Sequence, residues 1–509
     1  MSPAASAAIA TGFLKDMIAA GHISQEMNYL ACDPKKLMRA RRVAMESSRE
    51  CDKSRLKDSE VLGVYFDGRK DLTRVIVHDS NGNLHPRLIK EEHISVTVEP
   101  SGAYLGHVSP ESPEYPDKPA QKVAEAVFDL LNEKGIADKC VVLGGDSTAS
   151  NTGWKGGSIS HLEKLLGHKC HWTICMIHTN ELPLRRLIRD IDGPTASDTN
   201  FTGPIGKMLN NVTEMEVNTD FQVLDKEEPL IKLPENVIKN MSTDQRLAYQ
   251  LCQSVKTGVI SQNLQNVQFG PMNHARWLTT AMRIVYLWTR NHGLSGGILE
   301  NLEVLVRFCL ASYFKLFFEI KAKDNLEEGP HHIVSQLRVL KNFPAKIRDI
   351  VTPIIRLGAW HAHPENVLLS LLASEEKESR EFAVEQTLKI RGTDDHGNMK
   401  VRPRKTPKLN MSATTVKDLI YWGECEVQEP VFTCNLTQEE LMMLVENSLI
   451  IPSLKIHTQS TERAVHQVTE AAKHVVGMQA RDGFIRARSQ HREVMPVFTT
   501  KKDIMCLFK

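Results

Sequence analysis

Two short apolar runs, each halted by an aspartate next to glycine, constrain this chain more than any other feature. Residues 140–143 (CVVL) form an unbroken apolar run that stops in Gly144-Gly145-Asp146, the pattern of a buried strand ending in a loop. Residues 60–66 (EVLGVYF) read as a second strand, which stops in Asp67-Gly68. In an open α/β sheet the carboxyl ends of the strands carry the ligand-binding loops, because loops there vary while the strands stay rigid. Two aspartates at two such ends suit a divalent cation, since hard cations take carboxylate and phosphate oxygens together. Either aspartate alone reads first as a turn residue, Asp-Gly and Gly-Asp being common turn pairs; the pair shifts that balance.

The order of elements around the two aspartates sharpens the expectation. Residues 61–66 and 72–77 and the alternating Ile94, Val96 and Val98, reached through an Asn81-Gly82-Asn83 turn, predict three strands in an antiparallel meander. Pro119 opens a helix with an apolar stripe at Val123, Val127, Leu130 and Leu131, and Gly135 stops it. After the Asp146 strand, residues 158–166 predict a helix, 171–175 a strand and 179–191 a helix. The order β-β-β-α-β-α-β-α, with one aspartate ending the first strand and another the fourth, is that of the ribonuclease-H-like nuclease core.

On either side of this core the pattern is helical. Residues 2–57 predict helices with a basic turn at Lys35, Lys36, Arg39, Arg41 and Arg42, either a solvated face or a phosphate-contacting flank. Ser242 with Gln245 forms a capping box for a helix through Leu247, Leu251 and Val255, closed by Gly258. Residues 273–288 and 301–320 are helical as well, and no sheet is expected between 289 and 445, where the polar tract 391–407 predicts an exposed loop. Residues 457–477 form an amphipathic helix with Ala464, Val468, Ala471 and Val475 on one side. Glu462 falls in its first turn, where the helix dipole favours a negative charge. The expected organisation is a helical segment at 1–58, a core at 59–290, a helical insertion at 291–445 and the last part of the core at 446–509.

With 509 residues, the chain is long enough for several domains or for one with a large insertion. A net charge of +1 argues against a duplex-coating protein, so nucleic-acid contact would come from local patches. Ten cysteines without regular spacing read as reduced intracellular thiols. The Ala-rich start lacks the basic flank of a signal peptide, and the most apolar stretch, 304–320, is interrupted by Arg307 and Lys315, so no membrane span is expected.

FDG at 66–68, GDS at 145–147, CMIH at 175–178, RW at 276–277 and STERAV at 460–465 occur in that order. With them the chain resembles the hAT-type DNA transposases, cut-and-paste enzymes whose ribonuclease-H-like mixed sheet is interrupted by a large all-helical insertion before the last catalytic acid. More loosely, it looks like a group of transposon-derived proteins with no established activity in which GDST, NTGWKGG, IHTNELPLR, HARWLT, HTQSTERAV and RDGFIRAR recur. The resemblance implies that Asp67, Asp146 and Glu462 are the catalytic acids and hold two Mg2+ (or Mn2+) ions. One ion would activate water or a 3′ hydroxyl; the other would stabilise the leaving oxygen of a DNA phosphodiester. It also implies a base-stacking role for Trp277 beside Arg276, and a DNA-positioning or bracing role for Cys175 and His178. Cys170 and His171 lie near that pair, yet without a second well-spaced pair zinc is disfavoured.

Three further cations complete the expected DNA surface. Lys155, with Gly156 and Gly157, suits a phosphate, although the Walker spacing is missing. The basic tail with Arg486 and Arg488 suits a DNA-backbone track or a solvated helix end. The chain departs from the resemblance in lacking a BED-type zinc finger and in having Ala464-Val465 where Phe-Ser is usual after the Glu-Arg pair. Site recognition would then be lost or supplied by a separate DNA-binding partner. The expected partners are DNA and further copies of the chain, with no membrane, and the expected location is the nucleus, with a basic stretch at 402–408. The alternatives are a domesticated scaffold that binds or dimerises without turnover and a cellular nuclease acting on structured nucleic acid.

Overall fold

The computed structural model describes residues 3–58, 61–110, 118–153, 156–195, 201–224, 230, 232–269, 277–323, 328–358, 364–372, 374–390, 392–393, 399–400, 409–410, 413–421, 435–436, 439, 443, 446–447 and 459–494. Two N-terminal helices, α1 (Pro3–Ala19) and α2 (Pro34–Asp58), precede a five-stranded mixed sheet. Strands β1 (Gly63–His78), β2 (Leu84–Glu99) and β3 (Ala103–Val108) are antiparallel neighbours, and β4 (Val142–Gly145) and β5 (His171–Ile174) add to β1 in parallel. The resulting order is β3-β2-β1-β4-β5. The parallel steps need crossovers. They are supplied by α3 (Pro119–Lys134) and α4 (Ser158–Leu166), and α5 (Met176–Ile191) follows β5.

The meander differs from its sequence expectation in register. Residues 63–66 and 72–77 belong to one continuous strand, β1, and the true third strand, β3, comes later. Asp67-Gly68 does not turn the chain: both residues stay in the ladder, Gly68 paired with Ile94 of β2. The turn at the hairpin tip forms as expected. Gly82 takes φ 80°, and Asp79 Oδ1 accepts from the Asn81 and Asn83 amides at 2.9 and 2.8 Å. Pro119 and the left-handed Gly135 bound α3 as the composition requires.

The two faces of the sheet are chemically distinct. Phe66 pairs with Val96, and Val96 with Gly106, whose Cα faces Leu130 of α3; this face is apolar. The opposite face carries Tyr65, Asp67, Ser95, Thr97, Gly144 and Thr173, and α14 (Gln459–His474) covers it over β1 and β2. Gly144 leaves room there for the Tyr65 ring and the Thr173 hydroxyl, which a side chain would displace. Strand periodicity of two therefore sorts the core from the polar face.

Beyond the core lie α6 (Thr243–Thr257), with its Ser242/Gln245 capping box intact, and α7 (Trp277–Trp288). Then follow α8 (Gly296–Phe308), a π-helical turn (Cys309–Phe314) and α9 (Lys315–Lys323). Next come α10 (Glu328–Leu340), α11 (Ala345–Leu357), α12 (Pro364–Leu372) and α13 (Lys377–Ile390). The expected sheet-free insertion is corrected in one place. Gly392–Thr393, Met399–Lys400 and Asn435–Leu436 pair into a small antiparallel sheet, so part of the tract read as a loop is strand. The backbone there finds its hydrogen bonds in a distant segment, which local polarity does not reveal. One continuous apolar core joins the sheet to these helices. After α14, α15 (Met478–Val494) closes the described chain. No described helix is long and apolar enough to cross a membrane.

Candidate functional site

The parallel ladder between β1 and β4 runs from Gly63 with Val142 to Tyr65 with Gly144. Two residues further along each strand stand Asp67 and Asp146. Asp67, still within β1, therefore lies on the face that carries Tyr65, and Asp146 follows directly on the end of β4, with strands about 4.8 Å apart. Asp67 is buried, and its Oδ1 accepts from the Gly68 amide at 2.7 Å. It does not end its strand, as expected from the sequence, but it does mark where the parallel pairing stops.

Asp146 is held by its own loop. Its Oδ1 accepts from the Thr148 amide at 3.1 Å, the Thr148 hydroxyl at 2.6 Å and Asn151 Nδ2 at 2.7 Å. These donors fix the orientation of the carboxylate. Its Oδ2 lies 3.6 Å from His178 Nδ1. That nitrogen also accepts from the Ser147 amide at 3.2 Å. A nitrogen that accepts carries no proton, so we assign the neutral imidazole with its proton on Nε2, and the approach to Asp146 is a contact and not an ion pair.

Cys175 and His178 are placed by the start of α5. The Cys175 amide donates to Gly145 O at 3.0 Å, extending the β4–β5 pairing by one step, and Cys175 O accepts from the Thr179 amide. The Cys175 side chain is buried, whereas His178, three positions on, faces Asp146. The cysteine thus braces the sheet end and the histidine belongs to the site.

Glu462 rides on α14. The preceding Thr461 shares a 2.7 Å hydrogen bond with Thr97 of β2, and Gln459 Oε1 accepts from Lys321 Nζ of α9 at 2.7 Å. The first turn of α14 is therefore wedged between the polar face of the sheet and the insertion, on the same side as Asp67. Farther along, Lys473 meets Asp71 at 3.3 Å and, on α15, Arg481 meets Glu91 at 3.6 Å. Leu72 and Lys473 pull the Asp71 carboxyl below its usual range, although burial alone would raise it. Among the described residues, no group of three or more His, Cys, Asp or Glu side chains is gathered closely enough to hold a metal ion.

The other expected contacts fall elsewhere. Trp277 is 7% exposed at the start of α7, edge-on to Phe201 with centroids 6.2 Å apart, and Arg185 lies over its ring. It is a core residue in this arrangement. Arg486 is turned inward, donating to Asp482 at 2.8 Å and Leu105 O at 2.6 Å and lying over the Tyr104 ring. It fastens α15 to β3. Lys155, Arg276, residues 402–408 and the Arg488 side chain lie outside the described residues.

Sequence reasoning missed the groups that hold the site. Thr148 and Asn151 were in view as part of the GDST and NTGWKGG phrases, and an acceptor needing donors could have flagged them.

No family model matches the chain, and a comparison with curated proteins finds no match.

Proposed function

We propose that this protein cleaves and joins DNA strands in the manner of hAT-type transposases, with a ribonuclease-H-like core and Asp67, Asp146 and Glu462 as its working acids. The observation that supports the reading is the register of β1 against β4, which brings Asp67 and the loop of Asp146 to one end of the ladder, while Thr461, next to Glu462, bonds Thr97 of β2. The strand order β3-β2-β1-β4-β5, antiparallel then parallel, supports a ribonuclease-H-like assignment.

The donor set is all carboxylate oxygen, and Asp146 Oδ2 is not among the oxygens fixed by Thr148 and Asn151; this fits a hard divalent cation such as Mg2+ or Mn2+. Bound at these acids, such ions supply the charge that activates a water or 3′ hydroxyl and stabilises the leaving oxygen. The chain's own part is orientation. Thr148 and Asn151 keep Asp146 aimed, and Thr97 with Thr461 seats α14. His178, neutral with its Nε2 proton, offers a hydrogen bond to a phosphate oxygen. DNA is the partner in this reading, the nucleus is the place where it is met, and a separate DNA-binding partner would supply site recognition.

The test is direct. Purified protein with Mg2+ or Mn2+ nicks supercoiled DNA, and Asp146→Asn lowers the rate by at least about 100-fold, as loss of a charge-stabilising group does. Equal nicking by both proteins would reject the assignment.

A second reading, a transposase-derived scaffold that binds DNA or dimerises without turnover, is favoured by two observations. The described carboxylates are not drawn into one cluster, and Trp277 and Arg486 are spent on internal packing. DNA binding without metal-dependent nicking would select it.

A further inference from the structure

The N-terminal helix pair, α1 and α2, takes no part in the site described above. Near the end of α2, Leu56 is buried in the same apolar core as Val64 and Phe66 of β1. Among the described side chains ahead of Leu56, Ala7 alone is buried, so the pair has almost no core of its own. Arg42 and Lys35 lie about 20 and 30 Å before Leu56 along the helix axis.

The first half of α2 is also where the charges of a nearly neutral chain separate. The sequence holds 63 Lys and Arg against 62 Asp and Glu, yet Lys35, Lys36, Arg39, Arg41 and Arg42 follow one another with no acid before Glu46. Lys35, Arg39 and Arg42 have the i, i+4, i+7 spacing that puts side chains on one helix face. These three and Lys36 are exposed. The fold makes little use of their charge. Among the described residues, no carboxylate comes within ion-pair distance of Lys35, Lys36 or Arg39. Arg42 meets Glu46 at 2.9 Å with 82% of its side chain exposed, a surface pair of small worth. Lys36 Nζ reaches the Tyr29 and Ala31 carbonyls at 3.4 and 3.5 Å. Helix energetics oppose the placement, because the first turn is the positive end of the macrodipole and α2 has no acid in it. Asp33, just ahead, is committed to the Lys35 and Lys36 amides at 2.7 and 2.9 Å.

We propose that the first half of α2 is a contact for the backbone of duplex DNA, with Lys35, Lys36, Arg39 and Arg42 meeting phosphates. This rests on DNA being the substrate in the reading above and names where the duplex is held. The stripe from Lys35 to Arg42 is about 10 Å long, an axial length over which one strand presents about three phosphates. Such a contact positions DNA without reading its sequence, since phosphates are alike at every base.

The test uses the full chain in EDTA with a fluorescein-labelled duplex of arbitrary sequence, binding being read by anisotropy as salt is raised. The wild type binds, and its affinity falls steeply with salt. Lys35→Gln, Lys36→Gln, Arg39→Gln and Arg42→Gln combined keep helix propensity. Together they lower affinity at least tenfold at low salt and make the slope of log affinity against log salt shallower by about 3. Arg39→Lys with Arg42→Lys keeps the charge and the affinity. No duplex binding by the wild type would overturn both the DNA reading and this contact. Affinity and slope that survive the four Gln changes would overturn the α2 contact alone. A loss in the Lys variant equal to that in the Gln variant would make the effect structural and overturn it as well. Lost self-association in sedimentation with DNA affinity kept would assign this face to a second copy of the chain instead.

Discussion

The β1–β2 hairpin has two halves that share a sequence style and differ in everything that surrounds them. From Gly63 to Asp67, paired with residues 95–99, side chains are buried on both faces, by α3 on one side and α14 on the other. The Lys473–Asp71 and Arg481–Glu91 ion pairs close this inner half. Beyond them the strands stay paired, yet Ile76, Leu84 and Leu88 are 42%, 61% and 57% exposed. Backbone pairing alone leaves a two-stranded ribbon marginal. What fixes Asp67 is thus the double burial of the inner half, and the outer half rests on it.

The largest break between the halves comes from truncating the core. Phe66 is 1% exposed next to Asp67 and faces away from the site. Phe66→Ala should cost about 3–5 kcal/mol, through lost transfer energy and the cavity left behind. Urea unfolding measures it, and a loss below about 1 kcal/mol would mean that the inner half is not held as described.

A pH effect of middle size should also map to the inner half. Burial first, then His93 and Arg481, push the His107 imidazole down to about 3. His93 beneath the same helices is lowered as well, chiefly by burial. The folded state keeps His107 neutral while the unfolded chain protonates near 6.5, so the unfolded state binds more protons between those values. Stability therefore falls as pH drops through that window, by about 2 kcal/mol for one histidine from pH 6.5 to 5. Most carboxylates have not yet titrated there. His107→Gln should flatten the slope of unfolding free energy against pH; an unchanged slope would place the proton uptake elsewhere.

How much of this was legible follows from where the information lies. The end of β4 before Asp146 was readable because an apolar run that stops in glycine and aspartate leaves few other folds, and α14 was readable from its stripe of Ala464, Val468 and Ala471. The continuity of β1 was not, since Asp67-Gly68 has the composition of a turn and only its pairing with Ile94 shows the glycine to be a strand residue. Trp277 was read for its π face, but burial depends on Phe201 and Arg185 from other segments.

The smallest effect sharpens the contrast from the outer side. Leu88 pairs with Arg74 on a stretch of β2 where every residue from Leu84 to Lys90 is exposed. Leu88→Ser removes apolar area that the fold does not bury, so the stability change should stay within about 0.5 kcal/mol. Metal-dependent nicking should be unchanged too, because Asp67 takes its position from the inner half. A loss comparable to that of Phe66→Ala, in the monomeric chain, would mean that the ribbon is an integral part of the core, and that the register holding Asp67 is set along the whole hairpin and not by α3 and α14.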